Sequence, residues 1–545
     1  MRRWNGWGDD TFTYELPDSA VRYAREMLGP GRPPQDAPLE AVIAQVPPSR
    51  LPEHPLIHTQ AETRVRHARG QSFPDWVAMR SGHVGAFPDG VAFPQSREDV
   101  RTLLDFAMRH DLAVIPYGGG SSVVGHVNPL PDARPVLTVD MTRMNQLQAL
   151  DPESQLATFG AGVSGPELEA QLRAHGYTLG HYPQSFEYST LGGWIATRSS
   201  GQQSLRYGRI EKLFAGGQLE TPAGTLELPA AFPASAAGPD LRELVLGSEG
   251  RLGILTAATV RVSPLPEKET FHAVFFPDFE AGRTAVREIV QAGIPLSMLR
   301  LSTPQETETT LAMAGHEVLL GTLKKYLALR GAGDKRCMLI VGVTGSEALT
   351  EAAAKAAFDI TGRYDGVYAT QTFGKTWHKD RFRSPYLRNA LWEVGYGIDT
   401  LETATAWSNV PTMIAAIEEA LRTTLWYKDE FVHVFTHLSH VYPYGSSIYV
   451  QFLFRLAADP EETLEGWRAL KAAASETIVA HGGTISHQHG VGMDHAPYLQ
   501  AEKGALGMQA LRSALEVFDP QGVMNPGKLV SQRTGGEHAH TTMAR

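Results

Sequence analysis

The stretch FPDGVAFPQSREDVRTLLDFAMRHDLAVIPYGGGSS, residues 87–122, alternates strand and helix signals and ends in a glycine-rich turn. The run GVAF at residues 90–93 predicts a short strand. Ser96, with an acid three residues later, predicts the start of a capped amphipathic helix. The apolar run LAVIPY at residues 112–117 predicts a buried strand. Strand, helix and strand in this order indicate an α/β unit.

Three successive glycines, Gly118–Gly120, follow that buried strand. Glycines there let the backbone adopt positive φ and approach a ligand closely, and exposed N–H groups in such a turn can bind a pyrophosphate. The alternative is a flexible turn, which a lone triplet of glycines favours. The G-x-G-x-x-G spacing of a Rossmann fingerprint is absent, and no Gly-Lys-Ser/Thr of a P-loop follows.

Two further glycine blocks lie beside predicted strands. GHYPQSFEYSTLGGWIATRSSGQQSLRYGRIEKL occupies residues 180–213, and GSEGRLGIL occupies residues 247–255. The first combines paired glycines with a run of small polar residues, and the second runs into a strand signal. Either block alone is compatible with an ordinary loop. Three separated blocks of this kind favour a shared binding function.

The composition limits the classes of protein that need to be considered. A chain of 545 residues is expected to form two or more domains. The formal net charge of −10 gives no indication of nucleic-acid binding. The single Cys337 excludes an intramolecular disulfide and fits a reducing cytoplasm. No uninterrupted apolar run approaches 18 residues, so a membrane-spanning helix is not expected.

The pattern predicts an α+β protein in four parts. Residues 1–85, rich in Pro and charge, are expected to form an N-terminal arm, and residues 86–265 a ligand-binding domain. Residues 266–460 alternate strand and helix signals again, as a second α+β domain would. Residues 461–545 contain two helical stretches that flank a histidine motif.

The three glycine blocks together resemble the FAD-binding domain of the vanillyl-alcohol-oxidase/PCMH flavoprotein superfamily. Within it the chain most resembles the alkyldihydroxyacetonephosphate synthase family, from RWNGWG at residues 3–8 to VFDPQGVMNPGKL at residues 517–529. The resemblance implies a two-subdomain PCMH-type FAD-binding domain, an α+β cap, an N-terminal arm and a helical C-terminal segment. It also implies a small lipid-like phosphate substrate, a homodimer and peripheral contact with a membrane. Because the sequence shows no peroxisomal tripeptide at its end, a cytoplasmic location is expected.

The resemblance implies that FAD binds along the glycine blocks. The implied contacts are Pro116, Tyr117, Gly118, Gly119, Gly120, Ser121, Ser122, Pro183, Gln184, Ser185, Phe186, Glu187, Tyr188, Ser189, Thr197, Arg198, Ser199, Ser200, Glu249, Gly250, Arg251, Leu252, Gly253, Ile254 and Leu255. Relatives that attach FAD covalently through the first loop have a histidine where this chain has Ser121. Non-covalent FAD is therefore expected, although His126 lies a few residues further on.

The family's reaction exchanges the acyl group of an acyl-dihydroxyacetone phosphate for a long-chain alcohol, with no net redox change. By motif context, Tyr449 matches the family's catalytic tyrosine, Arg388 its phosphate-binding arginine and Arg300 a second functional arginine. A phenol needs a nearby cation to act as a base at neutral pH. Without the family context, a packed tyrosine and surface arginines would be the more common interpretation.

The stretch TISHQHGVGM, residues 484–493, sets His487 and His489 two positions apart, which on a strand directs both to one face. Acid/base chemistry and metal binding both use such pairs, and the resemblance implies that both histidines are catalytic residues at the reactive side of the flavin. Metal is disfavoured, because no third ligand appears at a recognisable spacing. The family motif is His-His-His-Gly-Val-Gly, so Gln488 replaces a histidine with a group that cannot carry a proton charge.

Gln488 keeps a second function open, that of an FAD-dependent 2-hydroxy-acid dehydrogenase or oxidase, because related dehydrogenases have Glu-His-Gly at this point. As His489 precedes a glycine, it fits both functions as a catalytic residue, with Gln488 beside it as a substrate contact. A third hypothesis is a non-catalytic protein that uses the FAD fold for binding. The three intact glycine blocks count against it.

Overall fold

The computed structural model describes residues 2–131, 134–230, 232–313, 317–369 and 371–530. The end of the predicted C-terminal segment, residues 531–545, lies outside the described residues.

The opening stretch folds as predicted. Its helix, Arg97–Arg109, begins with a capping box in which Ser96 Oγ accepts from the Asp99 N–H at 3.1 Å and the Asp99 carboxylate accepts from the Ser96 N–H at 3.2 Å. Apolar side chains of the helix pack on the first sheet in one buried cluster. The sheet has four strands in the order Ile57–His58, Gly90–Ala92, Val136–Asp140 and Ala113–Tyr117.

In the first sheet, the strand Val136–Asp140 pairs in parallel with both of its neighbours, Gly90–Ala92 and Ala113–Tyr117. Parallel strands end at one edge of a sheet, so the loop after each strand emerges on the same side. The glycine triplet leaves the sheet there, directly after Tyr117.

A second, antiparallel sheet presents the other two glycine blocks. Its strands are, in order, Leu147–Asp151, Leu156–Gly160, Ile254–Arg261, Phe214–Thr221 and Gly224–Leu228. A separate two-stranded pair joins Tyr177–Thr178 to Ser263–Pro264. The helices around the sheet are Gly165–Arg173, Leu191–Thr197, Ser204–Tyr207, Ile210–Leu213 and Arg242–Val245, with a 3-10 turn at Met141–Arg143.

The predicted second α+β region is built on an eight-stranded antiparallel sheet. Its main path runs Val367–Tyr368, Lys268–Phe276, Cys337–Gly345, Met298–Ser302, Val432–Leu438, Gly445–Arg455 and Tyr396–Ala406, with Val441–Tyr442 paired to the sixth of these. The associated helices are Phe279–Gln291, Pro304–Met313, Glu317–Leu329, Glu347–Arg363, Gln371–Asp380, Ser384–Glu393 and Val410–Thr423, with a 3-10 turn at Trp426–Lys428. We refer to this region as the cap.

The segment predicted as an arm is packed into the core. Its helices are Asp18–Leu28, Leu39–Ile43, Ala61–Arg66 and Phe73–Ser81. Phe73 and Trp76, each only 1% exposed, belong to the same apolar cluster as Leu299 and Phe452 of the cap sheet. The arm therefore stabilises the cap by burying large aromatic side chains.

The C-terminal segment contains the two predicted helices, Pro460–Ala480 and Leu499–Phe518, with a 3-10 turn at Ala496–Tyr498. The second helix breaks at Gly504, where φ is +68°. The chain then returns to the first sheet, because Val114 donates to Val523 O and Asn525 donates to Val114 O, both at 2.8 Å. None of the helices in the described ranges has the length and apolar character needed to cross a bilayer.

Candidate active site

A cavity of about 520 Å³ is lined by all three glycine blocks on one side and by the cap on the other. Its size lies in the range of small-molecule and cofactor sites. The cap supplies charged and aromatic groups to its wall, among them Arg300, Arg388 and Tyr449. Gln488 and His489 reach the same cavity from the C-terminal segment.

The glycine triplet crosses the second block at very short range. A Cβ on Gly119 would lie 1.7 Å from the carbonyl oxygen of Tyr188, so only glycine fits there. Positive φ, expected for the whole triplet, occurs only at Gly120, at +59°. The N–H groups of residues 119–123 donate no hydrogen bond within the described residues, which leaves a set of free donors suited to a pyrophosphate.

Most of the residues that the resemblance assigns to FAD line the cavity. Those are Pro116 to Ser122, Pro183, Gln184, Ser185, Ser189, Thr197, Ser199, Glu249, Gly250, Gly253, Ile254 and Leu255. The others lie in the same loops but do not line the cavity: Phe186, Glu187, Tyr188, Arg198, Ser200, Arg251 and Leu252. Phe186, for example, stacks on Phe382 of the cap at 5.0 Å.

The third glycine block is tied to the turn after His489. The carboxylate of Glu249 accepts from the N–H groups of Val491 at 2.5 Å and Gly492 at 2.8 Å. Glu249 itself adopts a positive φ of +54°. This buried carboxylate holds the histidine motif against the cofactor loops, since each charged acceptor bond fixes one backbone position.

His126, the next histidine along the chain after the glycine triplet, has a hydrogen-bond partner on Nδ1 and a carboxylate at ion-pair distance from Nε2. Its Nδ1 lies 2.8 Å from Ser122 Oγ, and its Nε2 lies 3.1 Å from a carboxylate oxygen of Glu249. The residue as a whole is only 6% exposed. His126 is therefore placed to brace the loop.

Arg388 is a cation with donor capacity left over. Its Nη1 donates to the carbonyl of Gln71 at 2.7 Å, and its guanidinium lies 4.5 Å from the ring centre of Trp76. Its Nη2 is buried and has no hydrogen-bond partner among the described residues. A buried cationic donor without a partner is costly, so the site fits an anionic ligand group.

Arg300 lies at the same cavity but its charge is already compensated. Its Nη2 donates to Glu306 at 2.7 Å and lies 3.2 Å from Nδ1 of His437. Burial alone would raise the pKa of Glu306, but Arg300 and His437 outweigh burial and lower that pKa to about 2. The ionised Glu306 therefore makes Arg300 a poorer anion ligand than Arg388.

Tyr449, on the strand Gly445–Arg455, lies between two imidazole rings. The His437 ring stacks on it at 4.8 Å, and the His489 ring meets it edge-on at 5.8 Å. Burial raises the pKa of Tyr449 above its ordinary value, and the cation that lowers this pKa, Arg388, does not offset burial. The expected activation by a nearby cation is thus incomplete, and the phenol keeps its proton at neutral pH.

The two histidines of the motif do not share a face. Residues 484–490 form a loop and turns and no strand, so the alternation expected from a strand does not apply. His489 lines the cavity, whereas His487 is buried behind the wall. His487, expected as a catalytic residue beside His489, therefore does not line the cavity, because the segment does not form a strand that would direct both side chains to one face.

Glu402, on the cap strand Tyr396–Ala406, binds two residues of the His487–His489 segment. Gln488 Nε2 donates to its Oε2 at 2.5 Å, and the His487 N–H donates to its backbone carbonyl at 3.0 Å. His487 Nε2 lies 2.8 Å from Arg209 Nη1 and 2.7 Å from the Tyr442 hydroxyl. Burial alone would raise the pKa of Glu402, but His487 and the other imidazoles hold it well below its ordinary value.

The tertiary structure also brings together three potential metal ligands that sequence spacing did not reveal. Potential ligand atoms of Glu402, His440 and His487 all lie within 4.8 Å of one another. Two features point to a hydrogen-bonding role for this group. Arg209 already places a cation against His487 Nε2, and the His440 and His487 rings stack at 5.1 Å with 27° between their planes.

Burial should make the protein sensitive to acid. It lowers the pKa of a set of described histidines, to about 3 for His181, His440 and His495 and to about 4 for His433 and His489. These side chains stay neutral when folded but take a proton near pH 6.5 when unfolded. Each one should therefore lower the free energy of unfolding by up to about 1.4 kcal/mol per pH unit as the pH falls from 6.5 towards 4.

Urea unfolding midpoints measured between pH 7 and pH 5 check this expectation. Asp494, whose pKa burial raises to about 7, opposes the trend by taking a proton in the folded state. A His433→Gln variant, in which one buried imidazole is lost, should show a shallower pH dependence. A midpoint that does not change over this range would contradict the burial argument.

Several cavity residues had no counterpart in the sequence analysis. Trp7, Gln71 and Trp76 line the cavity from the N-terminal arm, and Asp399 and His437 line it from the cap. The arm residues carried one signal, the match of RWNGWG to the resembled family, which spans Trp7. The other positions follow no spacing rule, since only the folded chain brings them together.

Comparisons with known proteins agree with this geometry. Residues 88–228 match the family described as FAD binding domain, and residues 265–529 match the family described as FAD linked oxidases, C-terminal domain. An alkyldihydroxyacetonephosphate synthase of Dictyostelium discoideum is 31% identical over 97% of this chain and 93% of its own length. One from Trypanosoma brucei brucei is 31% identical over 90% of this chain and 81% of its own.

A solved structure of alkyldihydroxyacetonephosphate synthase superposes with a TM-score of 0.82 at 29% identity, covering 96% of this chain and 98% of the other. The predicted α+β fold class, with an FAD-binding region and a second domain, is confirmed.

Proposed function

The chain belongs to the alkyldihydroxyacetonephosphate synthase family of FAD-binding enzymes, and from that premise we propose that it exchanges the acyl group of acyl-dihydroxyacetone phosphate for a fatty alcohol. The product would be an ether lipid precursor, formed without net redox change. The observation that supports this most directly is one cavity lined by the glycine loops, Arg388 and Tyr449.

The residues around the cavity fit FAD. The free N–H groups of residues 119–123 suit its pyrophosphate, and the other glycine blocks supply close-approach walls. When bound, FAD supplies an electrophilic flavin that activates the reacting carbon of the substrate. We propose that the attachment is non-covalent, since Ser121 carries no imidazole and His126, which is hydrogen-bonded to Ser122, faces the carboxylate of Glu249 at 3.1 Å. Acid precipitation should then leave the yellow colour in the supernatant.

Arg388 is the group we assign to the substrate phosphate. Its guanidinium is anchored at one nitrogen by Gln71 and is free at the other, so it can bind an oxyanion without breaking an internal ion pair. Arg300, held by Glu306, would orient His437 instead. This division assigns the two arginines of the sequence analysis to different tasks.

Tyr449 and His489 are the groups we assign to proton transfer. Tyr449 keeps its proton in the absence of ligand, so removing a proton from the substrate carbon needs a second acceptor. His489 is neutral at pH 7, because burial lowers its pKa to about 4, and its ring meets Tyr449 edge-on. A neutral imidazole beside a phenol can accept that proton, directly or through the phenol oxygen.

The assay that tests the function uses the pure, FAD-loaded protein with palmitoyl-dihydroxyacetone phosphate and hexadecanol. Formation of hexadecyl-dihydroxyacetone phosphate together with one equivalent of palmitate would support the proposal. Absence of ether product at saturating FAD and substrates would overturn it.

The second candidate, a 2-hydroxy-acid dehydrogenase, rests on Gln488 and on the FAD linked oxidase match of residues 265–529. Anaerobic mixing with D-lactate, D-2-hydroxyglutarate or glycolate would bleach the flavin if this candidate were correct. An unchanged spectrum across that panel would remove it.

Gln488→Glu is expected to lower kcat/KM at least tenfold at pH 8. Gln488 Nε2 lies 2.5 Å from Glu402 Oε2, and two carboxylates at that distance cannot both be ionised. Activity should partly recover as the pH is lowered, because a shared proton relieves the repulsion. Gln488→His, which keeps a donor towards Glu402, serves as the control and should stay close to wild type. If kcat/KM depended on pH in the same way for Gln488→Glu and wild type between pH 6 and 9, the Gln488–Glu402 hydrogen bond would have no role in turnover.

We propose in addition a cytoplasmic location, homodimer formation and peripheral contact with lipid. A fatty alcohol substrate favours the last of these, because it resides in membranes. Light scattering of the FAD-loaded protein and co-sedimentation with phosphatidylcholine vesicles test the last two. A monomer that stays in the supernatant would remove both.

A further inference from the structure

The N-terminal arm places a tryptophan in the wall of the cavity. Trp7 is only 5% exposed, and it lines the same cavity as Arg388. Its indole Nε1 is buried and has no hydrogen-bond partner within the described ranges of the chain. Buried tryptophan N–H groups usually find an acceptor, so this one indicates a ligand atom that is added on binding.

The indole is held in place from several sides. The backbone N–H of Trp7 donates to Asn389 Oδ1 at 3.3 Å, and Asn389 Nδ2 donates back to the Trp7 carbonyl at 2.8 Å. The ring meets Tyr188 of the second glycine block edge-on, with 5.3 Å between centroids and 85° between planes. Tertiary contacts of the arm thus define the position of the ring.

The same contacts join Trp7 to the free cation. Asn389, which clamps the Trp7 backbone, directly follows Arg388 on the helix Ser384–Glu393. Gln71 accepts from Arg388 through its carbonyl at 2.7 Å and donates from its side-chain amide to the carbonyl of Gly6, the neighbour of Trp7, at 3.4 Å. Trp7 and Arg388 are therefore linked through Asn389 and through Gln71 and Gly6, and each keeps one buried donor without a partner among the described residues.

We propose that the Trp7 indole N–H is a second donor to the substrate phosphate, beside Arg388. The inference rests on the proposed function, since it assumes that Arg388 binds that phosphate. A phosphate offers acceptor oxygens in several directions, so two donors on neighbouring elements can bind it together. The consequence is that the arm, and not only the cap and the glycine loops, determines the affinity for the phosphate.

The alternative is that Trp7 is only an aromatic packing element for the second glycine block. The two explanations differ at a single atom pair, the indole nitrogen and its hydrogen. Trp7→Phe removes that donor and keeps an aromatic ring against Tyr188. A packing role predicts little change in phosphate affinity, whereas a donor role predicts a selective loss.

The experiment measures binding of dihydroxyacetone phosphate and of dihydroxyacetone to the FAD-loaded full chain by calorimetry. Trp7→Phe should weaken dihydroxyacetone phosphate about tenfold, as loss of one hydrogen bond to a charged group does, and should leave dihydroxyacetone and FAD content unchanged. Trp4→Phe is the matched control in the same arm, because Trp4 packs on the core and does not line the cavity. It should bind like wild type.

Trp7→His offers a rescue, since a flipped imidazole can place Nε2 where the indole nitrogen was. Partial recovery relative to Trp7→Phe would support the donor role. The indole N–H signal in the NMR spectrum that is absent from both Trp7→Phe and Trp7→His belongs to Trp7. In the wild type, the chemical shift of this signal should change when dihydroxyacetone phosphate is added.

Equal phosphate affinity in wild type and Trp7→Phe, or a Trp7 indole signal that does not move, would overturn this inference alone. Loss of FAD from Trp7→Phe together with an unmoved signal would assign Trp7 to the cofactor and overturn it as well. If wild type bound dihydroxyacetone phosphate no better than dihydroxyacetone, the phosphate site of the proposed function would fail with it.

Discussion

Tyr449→Phe is expected to lower kcat by about 10²- to 10⁴-fold, the usual contribution of a positioned proton-transfer group. Only the hydroxyl oxygen is removed, so the ring should keep its place between His437 and His489. FAD content and the KM for the phosphate substrate should change little, because Arg388 is untouched. Single-turnover and steady-state assays of ether formation on the FAD-loaded variant provide the measurement.

Tyr396→Phe is the matched control for Tyr449→Phe. Tyr396 is also a buried tyrosine of the cap sheet, but its hydroxyl donates to the carbonyl of Gly29 at 2.7 Å and it does not line the cavity. Its loss should affect stability more than turnover. A Tyr449→Phe enzyme with near-normal kcat would leave His489 or another group as the proton acceptor and would remove Tyr449 from the mechanism.

Gly119→Ala is expected to produce a colourless and much less stable protein. The new Cβ would lie 1.7 Å from the Tyr188 carbonyl oxygen and 2.5 Å from its carbon, so the backbone of one glycine loop must move. Overpacking in a rigid site costs about 1–3 kcal/mol, and a backbone clash belongs at or above the upper end of that range. The ratio of flavin to protein absorbance and the urea midpoint measure the two effects.

Gly362→Ala is the control for this substitution. Gly362 lies in the helix Glu347–Arg363, and a Cβ there meets no atom within 4 Å. Alanine should leave FAD binding intact and raise stability slightly, by up to about 1 kcal/mol, because it is the better helix former. A yellow, stable Gly119→Ala protein would mean that the two loops can separate and still bind FAD.

Local sequence signals predicted the parts of the fold that depend on near neighbours. The capping box at Ser96 and the strand after it were readable because both depend on residues a few positions apart. The break at Gly504 and the loop at residues 484–490 were not, since a helical or alternating pattern can be overridden by distant contacts. The arm was underestimated for the same reason, as the burial of Phe73 and Trp76 depends on the cap.

The candidate site also has a part that local sequence motifs predicted and a part that depends on distant contacts. Sequence motifs identified the glycine loops, Arg388, Tyr449 and His489, all of which line the cavity. They did not separate Arg388, which keeps a free donor, from Arg300, which is neutralised by Glu306.

By itself the sequence determined the fold class, the three glycine blocks and the family resemblance, because these depend on local backbone preferences and on the order of motifs along the chain. Only the tertiary structure decided which charges are compensated, which histidine meets the cavity, and that Trp7 lines the same cavity as Arg388. The physical reason is that burial and charge compensation are set by neighbours in space. Gln488 and Glu402, for example, are 86 positions apart in the chain and bonded in the fold.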